Sequence, residues 1–192
     1  MTAVLFTYLF SGYDVGAKIS ISDQMLPFEY CYPNDSLLNT SFSFSKHSGK
    51  VFMIEMSTSW WPTCYTNLSV GDAIYQDWEN NSHVEILHVL DEINQPYSCN
   101  EWGDGGLNGI PPIIIGENSA FFGLFEHPGD GTSRPLVVFI NHEMEIIFIS
   151  DNHVTQTDAY DLINLMLENC GNNCQLSTIN INNYPEEFQI QR

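Results

Sequence analysis

The hydrophobic residues of this chain are concentrated in short runs that polar and glycine-rich segments separate. Short runs rich in Val, Ile and Phe are typical of strands buried on both faces of a sheet. The pattern predicts four core strands, at residues 51–56, 84–90, 135–140 and 145–149. A shorter apolar run at residues 113–115 predicts a fifth strand.

Two segments carry the period of an amphipathic helix. Residues 62–78 suit a helix that begins at Pro62, because proline is tolerated in the first helical turn. Residues 157–169 place apolar side chains three and four positions apart, which predicts a second helix. The remaining segments predict edge strands or a hairpin at 19–46, a loop at 91–112, and a helical turn or two at 120–125.

The order strand, helix, strand, loop, strand, hairpin, helix predicts an α/β fold. In such a fold a mixed sheet lies between helices on both faces, as a three-layer sandwich. We place one domain at residues 19–170. Residues 1–18 form an N-terminal segment or the remnant of a leader, and residues 171–192 form a C-terminal tail.

Charge and composition exclude several classes of function. The chain has 192 residues, only 5 of them Lys or Arg, and a formal net charge of −19. So few basic side chains cannot neutralise a row of phosphates, which argues against binding to nucleic acid or to anionic lipid. No apolar run approaches the roughly 20 residues of a membrane span. A hydrophobic content of 43% excludes global disorder.

The cysteines and glycosylation sequons favour an extracytoplasmic protein, either periplasmic or secreted. Cys170 and Cys174 are close enough in sequence to form a local disulfide, which suits an oxidising compartment. The total of five cysteines leaves at least one thiol unpaired or paired between chains. Four N-x-S/T sequons are compatible with secretion, at Asn34, Asn39, Asn67 and Asn80.

The residues around the first core strand resemble the thioredoxin-like suprafamily. Gly49-Lys50 precedes this strand, and Trp60, Pro62 and Cys64 follow it as in a Trp-Cys-x-x-Cys motif at a helix start. The similarity covers about residues 20–170 and is strongest to the redoxin branch, which includes thiol–disulfide oxidoreductases and peroxiredoxins. It implies a thioredoxin-like sandwich and a cis peptide bond between Arg134 and Pro135. The residues it implies along the site are Trp60, Trp61, Pro62, Thr63, Arg134 and Pro135.

The sequence departs from this family at the first cysteine of the motif, where Trp61 stands. That cysteine is the attacking thiol in the family, so two-cysteine exchange within Trp61-Pro-Thr-Cys64 cannot occur. Cys64 remains as a candidate catalytic thiol. In peroxiredoxins the reactive cysteine can align with this second position in a Thr-x-x-Cys pattern, and Trp61 stands where that pattern has its threonine, which argues against a peroxidase. The alternative is that Cys64 is a small buried hydrophobic residue.

Cys99 is the candidate partner of Cys64, since the loop after the second long strand can reach the same edge in this fold. A Cys64–Cys99 disulfide or resolving pair would give the site its redox chemistry. Cys31 competes with Cys64 as the partner of Cys99, and Cys99 is otherwise a lone thiol in a loop.

The sequence contains no other recognised catalytic pattern. The histidine spacings match no metal-ligand pattern, and we expect neither a metal nor a cofactor. An aromatic group either lines a peptide-binding groove or packs around the first helix, and consists of Trp60, Trp61, Tyr65 and Trp102.

Three hypotheses about function therefore stand. The chain is a redoxin-type thiol-redox protein with impaired or altered activity, a catalytically inactive binding module, or a structural subunit of an extracellular assembly. The partners expected are protein thiols and disulfides, or another protein.

Overall fold

A seven-stranded mixed sheet organises the chain. The structure is a computed structural model and describes residues 12–33, 40–106, 111–116, 120–126 and 134–170. The strands, in chain order, are β1 (Phe28–Tyr32), β2 (Ser41–Phe42), β3 (Val51–Thr58), β4 (Val84–Asp91), β5 (Ile113–Ile115), β6 (Leu136–Ile140) and β7 (Ile146–Ser150). Their spatial order is β2-β1-β5-β4-β3-β6-β7.

Five α-helices and two 3₁₀ turns accompany the sheet in the described residues. The helices are α1 (Ile21–Gln24), α2 (Pro62–Thr66), α3 (Leu68–Trp78), α4 (Cys99–Gly103) and α5 (Gln156–Asn169). The 3₁₀ turns are Phe44–His47 and Phe122–Leu124. No helix in this part of the chain is long and apolar enough to cross a membrane.

Strand β3 lies inside the sheet, between β4 and β6, and is buried along its whole length. It runs parallel to β4, from the pair Val51 and Val84 to the pair Thr58 and Asp91, and antiparallel to β6. Strands apolar on both faces are expected at such central positions. The predicted core strands are therefore confirmed, as is the mixed sheet with flanking helices.

The two faces of the sheet bury different kinds of side chain. On one face, Val51 and Met53 of β3 pack with residues of helices α3 and α5. On the other face, Ile54 and its neighbours pack against a group of phenylalanines. Within that group, Phe28 and Phe121 meet edge to face with ring centroids 4.7 Å apart. Aromatic side chains from strands and 3₁₀ turns thus cover this second face.

Local structure differs from the sequence prediction in three places. The helix predicted at 62–78 divides at Asn67, which ends α2 and begins α3. Within the edge strands predicted at 19–46, the chain leaves the sheet after Phe42, and Phe44 begins a 3₁₀ turn that buries its ring fully in the core. The predicted loop at 91–112 contains α4, whose first turn is closed by a capping box between Ser98 and Glu101.

The ends of the chain fall largely outside the described residues. The described N-terminal part is hydrogen-bonded to the sheet region. The Gly16 N–H donates to the carbonyl of Ile146 at 2.8 Å, and the backbone of Lys18 forms an isolated antiparallel β-bridge with that of Glu145. The predicted tail at 171–192 and the first eleven residues lie outside the described residues, as do the sequons at Asn34 and Asn39.

A half-buried charge cluster joins β4 to the turn before β3. The Nζ atom of Lys50 lies 2.6 Å, and Nδ1 of His47 lies 2.8 Å, from Oε2 of Glu85. Burial raises the pKa of Glu85, but the hydrogen bonds and charges of His47 and Lys50 outweigh it, so the pKa lies below its ordinary 4.5. The stability that this carboxylate contributes is therefore present above that value and is lost as the pH falls through the lowered pKa.

We predict that Lys50→Met lowers the free energy of unfolding by about 1–2 kcal/mol at neutral pH, because it removes a charged donor from Glu85. The loss should shrink as the pH falls through the lowered pKa of Glu85, because the protonated carboxyl group no longer attracts the cation. Urea unfolding at neutral pH and at a series of falling acidic pH values measures this loss. Lys46→Met is the control, since Lys46 is exposed and bonds only to Ser41 among the described contacts. A loss that stays the same over the whole pH series would contradict the role of Glu85.

Candidate functional site

The carboxyl ends of the parallel strands β3 and β4 meet at one edge of the sheet, and the candidate site lies there. The chain leaving β3 is bound to the chain leaving β4: Ser59 N–H donates to the carbonyl of Asp91 at 3.1 Å, and the Ser59 hydroxyl donates to the carbonyl of Glu92. Ligands of open α/β sheets collect at this edge.

Cys64 lies in the first turn of α2 and is completely buried. It packs in a hydrophobic cluster with Leu68 and Leu90. Burial raises the pKa of the Cys64 thiol above its ordinary 9.0, although the side chain of Ser57 and the backbone of Thr58 oppose the shift. The thiol is therefore protonated at neutral pH and shielded from solvent, two properties that make a poor nucleophile.

Trp61 occupies the N-cap position of α2, three residues before Cys64. Its indole is partly buried and lies against Trp60, with ring centroids 4.9 Å apart. The resemblance places the attacking thiol at this position. The helix start thus presents an aromatic surface where an exchange enzyme presents sulfur.

Cys99 forms a disulfide with Cys31. Their Cα atoms are 6.0 Å apart, within the usual range for a disulfide. Cys31 lies in β1 and Cys99 is the first residue of α4, so the bond links these two elements, which also pack against each other. The predicted Cys64–Cys99 pair is thus corrected to Cys31–Cys99, and Cys64 is a free thiol. Cys170 is disulfide-bonded, while its predicted partner Cys174 lies outside the described residues.

The predicted cis peptide bond between Arg134 and Pro135 is confirmed. It precedes β6, whose Leu136 pairs with Met56 at the site end of β3. Arg134 itself is buried: its guanidinium forms an ion pair with Glu126 and lies 4.2 Å from the centroid of the Phe122 ring. The positive charge of Arg134 is therefore paired with a carboxylate inside the protein.

A buried carboxylate, that of Glu55, lies beneath the start of α2, and the sequence pattern does not single it out. Glu55 of β3 is 6% exposed, and its Oε1 lies 3.4 Å from Nδ1 of His153. Nε2 of the same ring donates to the carbonyl of Thr63 at 3.1 Å. His153 therefore fastens the start of α2 to β3.

The aromatic residues of the site divide into a buried and an exposed group. Trp102 is fully buried, and its indole N–H donates to Nε2 of His88 at 3.2 Å. Burial lowers the pKa of His88, which keeps this acceptor neutral. Around it, Tyr65 and Tyr97 stack with ring centroids 4.5 Å apart. Trp102 is thus a packing residue, whereas Trp60 is 48% exposed.

No metal site is formed at this edge by the part of the chain that the structure describes: nowhere in it are three His, Cys, Asp or Glu side chains grouped so as to hold an ion.

We predict that His153→Ala lowers the free energy of unfolding by about 1–3 kcal/mol, because it removes the ring that contacts the buried Glu55 carboxylate and donates to the Thr63 carbonyl. Adding Glu55→Gln should recover part of the loss, giving a coupling energy of at least about 1 kcal/mol in a double-mutant cycle. Urea unfolding of the four proteins measures this. His142→Ala, in the β6–β7 turn, is the control and should cost about 0.5 kcal/mol or less. Additive losses for His153 and Glu55 would contradict the pairing.

Comparison with known proteins gives a fold but no sequence family. No protein-family model matches the sequence, and no curated protein matches it. The fold is similar to that of a putative protein disulfide isomerase from Bacteroides thetaiotaomicron, with a TM-score of 0.63, 15% identity, and coverage of 82% of this chain and 94% of that one.

Two further solved structures have the same fold. A putative thioredoxin from Neisseria meningitidis has a TM-score of 0.60 at 16% identity, covering 75% of this chain and 88% of its own. A secreted thiol-disulfide isomerase from Corynebacterium glutamicum has a TM-score of 0.59 at 11% identity, covering 72% and 80%. The chain thus has the thioredoxin-like fold of thiol–disulfide oxidoreductases.

Proposed function

We propose that this chain is a redoxin-type protein that binds a polypeptide partner at the carboxyl edge of its sheet and does not itself exchange disulfides through residues 61–64. The observation that carries the proposal is the state of Cys64: a free thiol, fully buried behind the start of α2, with a raised pKa.

Disulfide exchange makes two demands that Cys64 fails to meet. A thiolate must attack one sulfur of the substrate, forming a mixed disulfide while the second substrate sulfur leaves as a thiolate. A buried thiol with a raised pKa supplies little thiolate, and no substrate sulfur can approach it in line. Because Cys99 is bonded to Cys31, Cys64 has no resolving partner at this edge among the residues that the structure describes. The catalytic roles expected of Cys64 and Cys99 therefore form no part of the proposal.

Two features support a binding role at the same edge. Trp60, Trp61 and Pro62 give α2 an aromatic start with exposed surface, and exposed apolar patches mark interaction sites. The loop that reaches this edge from β4 is anchored by a disulfide-linked helix, so the surface is fixed before a partner arrives.

The same features favour a location outside the cytoplasm. A disulfide between distant parts of a chain persists in oxidising compartments. Two proteins of similar fold are described as a secreted thiol-disulfide isomerase and an exposed lipoprotein thioredoxin. We therefore place the protein in a periplasmic or secreted compartment.

We predict that the purified protein reduces insulin no faster than the dithiothreitol blank. Trp61→Cys should raise the rate at least about tenfold, because it places a thiol at a helix start, where its pKa falls, within resolving distance of Cys64. Turbidity of the precipitating insulin B chain measures the rate.

Trp60→Cys is the matched control for this experiment. It adds an exposed thiol one residue earlier, outside the helix start, and should leave the rate near the blank. Combining Trp61→Cys with Cys64→Ser should abolish the gain, since the mixed disulfide could no longer be resolved. The proposed function would be overturned if the unaltered protein reduced insulin strongly and Cys64→Ser abolished that activity.

A further inference from the structure

The exposed indole of Trp60 is held in one place by the residues around it. It is 48% exposed, whereas Trp78 and Trp102 are fully packed in the core. Its N–H donates to the carboxylate of Glu92, and its ring lies against Trp61. A large aromatic side chain that is both exposed and fixed loses little conformational freedom when a partner covers it.

The loop that carries Glu92 has an unusual backbone. Glu92 and Asn94 have φ values of 51° and 69°, in the left-handed region that residues with a side chain seldom adopt. The conformation is held by the Asn94 N–H, which donates to the carbonyl of Tyr97 at 2.8 Å, and by the Ser59 hydroxyl on the Glu92 carbonyl. This backbone delivers the Glu92 carboxylate to the edge of the Trp60 ring.

Glu92 has no cationic partner among the described residues. The four basic Lys and Arg side chains described make their contacts elsewhere: Lys18 with Glu143, Lys46 with Ser41, Lys50 with Glu85, and Arg134 with Glu126. Adjacent Asp91 adds a second carboxyl group, whose Oδ1 accepts only the Glu92 backbone N–H among the contacts described. The whole chain carries a net charge of −19, so a cationic partner is attracted and an acidic one is repelled.

We infer that the Trp60–Trp61 pair and Glu92 form a binding site for an arginine side chain of a polypeptide partner. A guanidinium stacks on aromatic faces and forms paired hydrogen bonds with a carboxylate, which a compact ammonium does less well. Among the described contacts the Glu92 carboxylate accepts one hydrogen bond, from the Trp60 N–H, so its other lone pairs can receive two guanidinium N–H groups.

The protein already contains one site built in this way. The Arg134 guanidinium lies over the Phe122 ring and pairs with Glu126, so an aromatic face and a carboxylate hold a guanidinium inside the fold. At Trp60 the aromatic face and the carboxylate are present at the surface, and the guanidinium would come from the partner. The inference rests on the proposed binding function and specifies the chemistry of the partner.

The test uses the full chain and blocked ten-residue peptides of Gly and Ser with one central residue: arginine, its neutral isostere citrulline, or lysine. Isothermal titration calorimetry measures binding at about 0.05 and 0.5 M NaCl, since salt screens exposed charges. We expect the arginine peptide to bind at least about tenfold more tightly than the citrulline peptide, a difference of about 1.4 kcal/mol. The lysine peptide should fall between them.

Two matched pairs of variants locate the site. Glu92→Gln and Glu79→Gln remove the same charge, but Glu79 lies at the far end of α3, so only Glu92→Gln should weaken arginine binding at least about tenfold. Trp60→Leu keeps an apolar side chain and loses the aromatic face, and it should weaken binding, whereas Phe148→Ala on β7 should not. Thermal unfolding checks that each variant is folded.

Several results would overturn the inference. Equal weakening by Glu92→Gln and Glu79→Gln would show that overall charge alone attracts the peptide. Equal affinity for the citrulline and arginine peptides would show that the Trp60 surface binds peptides without selecting the cation, and this would leave the proposed binding function intact. Insulin reduction by the native protein would overturn the part of the proposed function that denies disulfide exchange, and the peptide affinities would still decide whether the arginine site exists.

Discussion

The burial of the Cys64 side chain is the constraint from which the rest of the site follows. Its sulfur lies inside a cluster that includes Leu68 and Leu90, beneath the first turn of α2. Apolar side chains surround the sulfur, and this desolvation raises the pKa of the thiol, so the sulfur keeps its proton. The most reactive side-chain type in the chain is thus held in its least reactive form, at the edge of the sheet where ligands of this architecture collect.

The surroundings of Cys64 stabilise this arrangement from two directions. Glu55 and His153 hold the start of α2 against β3, because the His153 ring contacts the Glu55 carboxylate and donates a hydrogen bond to the Thr63 carbonyl. The Cys31–Cys99 disulfide holds α4 against β1 at the side. Because the framework around α2 is fixed, its outer surface is fixed also, and Trp60 and Trp61 are presented to a partner in a defined orientation.

The sheet could be predicted from sequence because its central strands are apolar on both faces and stand out from polar surroundings. Strand β3 is the clearest case, since Val51 and Met53 serve one core and Ile54 the other. Helix α4 was missed although its capping box is visible as Ser98 and Glu101, because the segment around it is rich in glycine and asparagine.

The site was predicted in part, and its missing pieces depend on tertiary contacts. The position of Trp61 at the helix start follows from the motif alone. The partner of Cys99 does not, since it is decided by the packing of β1 beside α4. His153 is far from Glu55 in sequence and lies after a different strand, so no local pattern joins them. The left-handed backbone at Glu92, which carries its carboxylate to Trp60, likewise has no signature in residue types.

The most direct test of this account is the state of each cysteine in the native protein. The folded chain would be incubated with oxidised glutathione, quenched in acid, digested and mapped by mass spectrometry. The account predicts an intact Cys31–Cys99 disulfide and an unmodified Cys64, which becomes glutathionylated only after unfolding in urea. Rapid glutathionylation of Cys64 in the folded protein, or its recovery in a disulfide with Cys99, would contradict it.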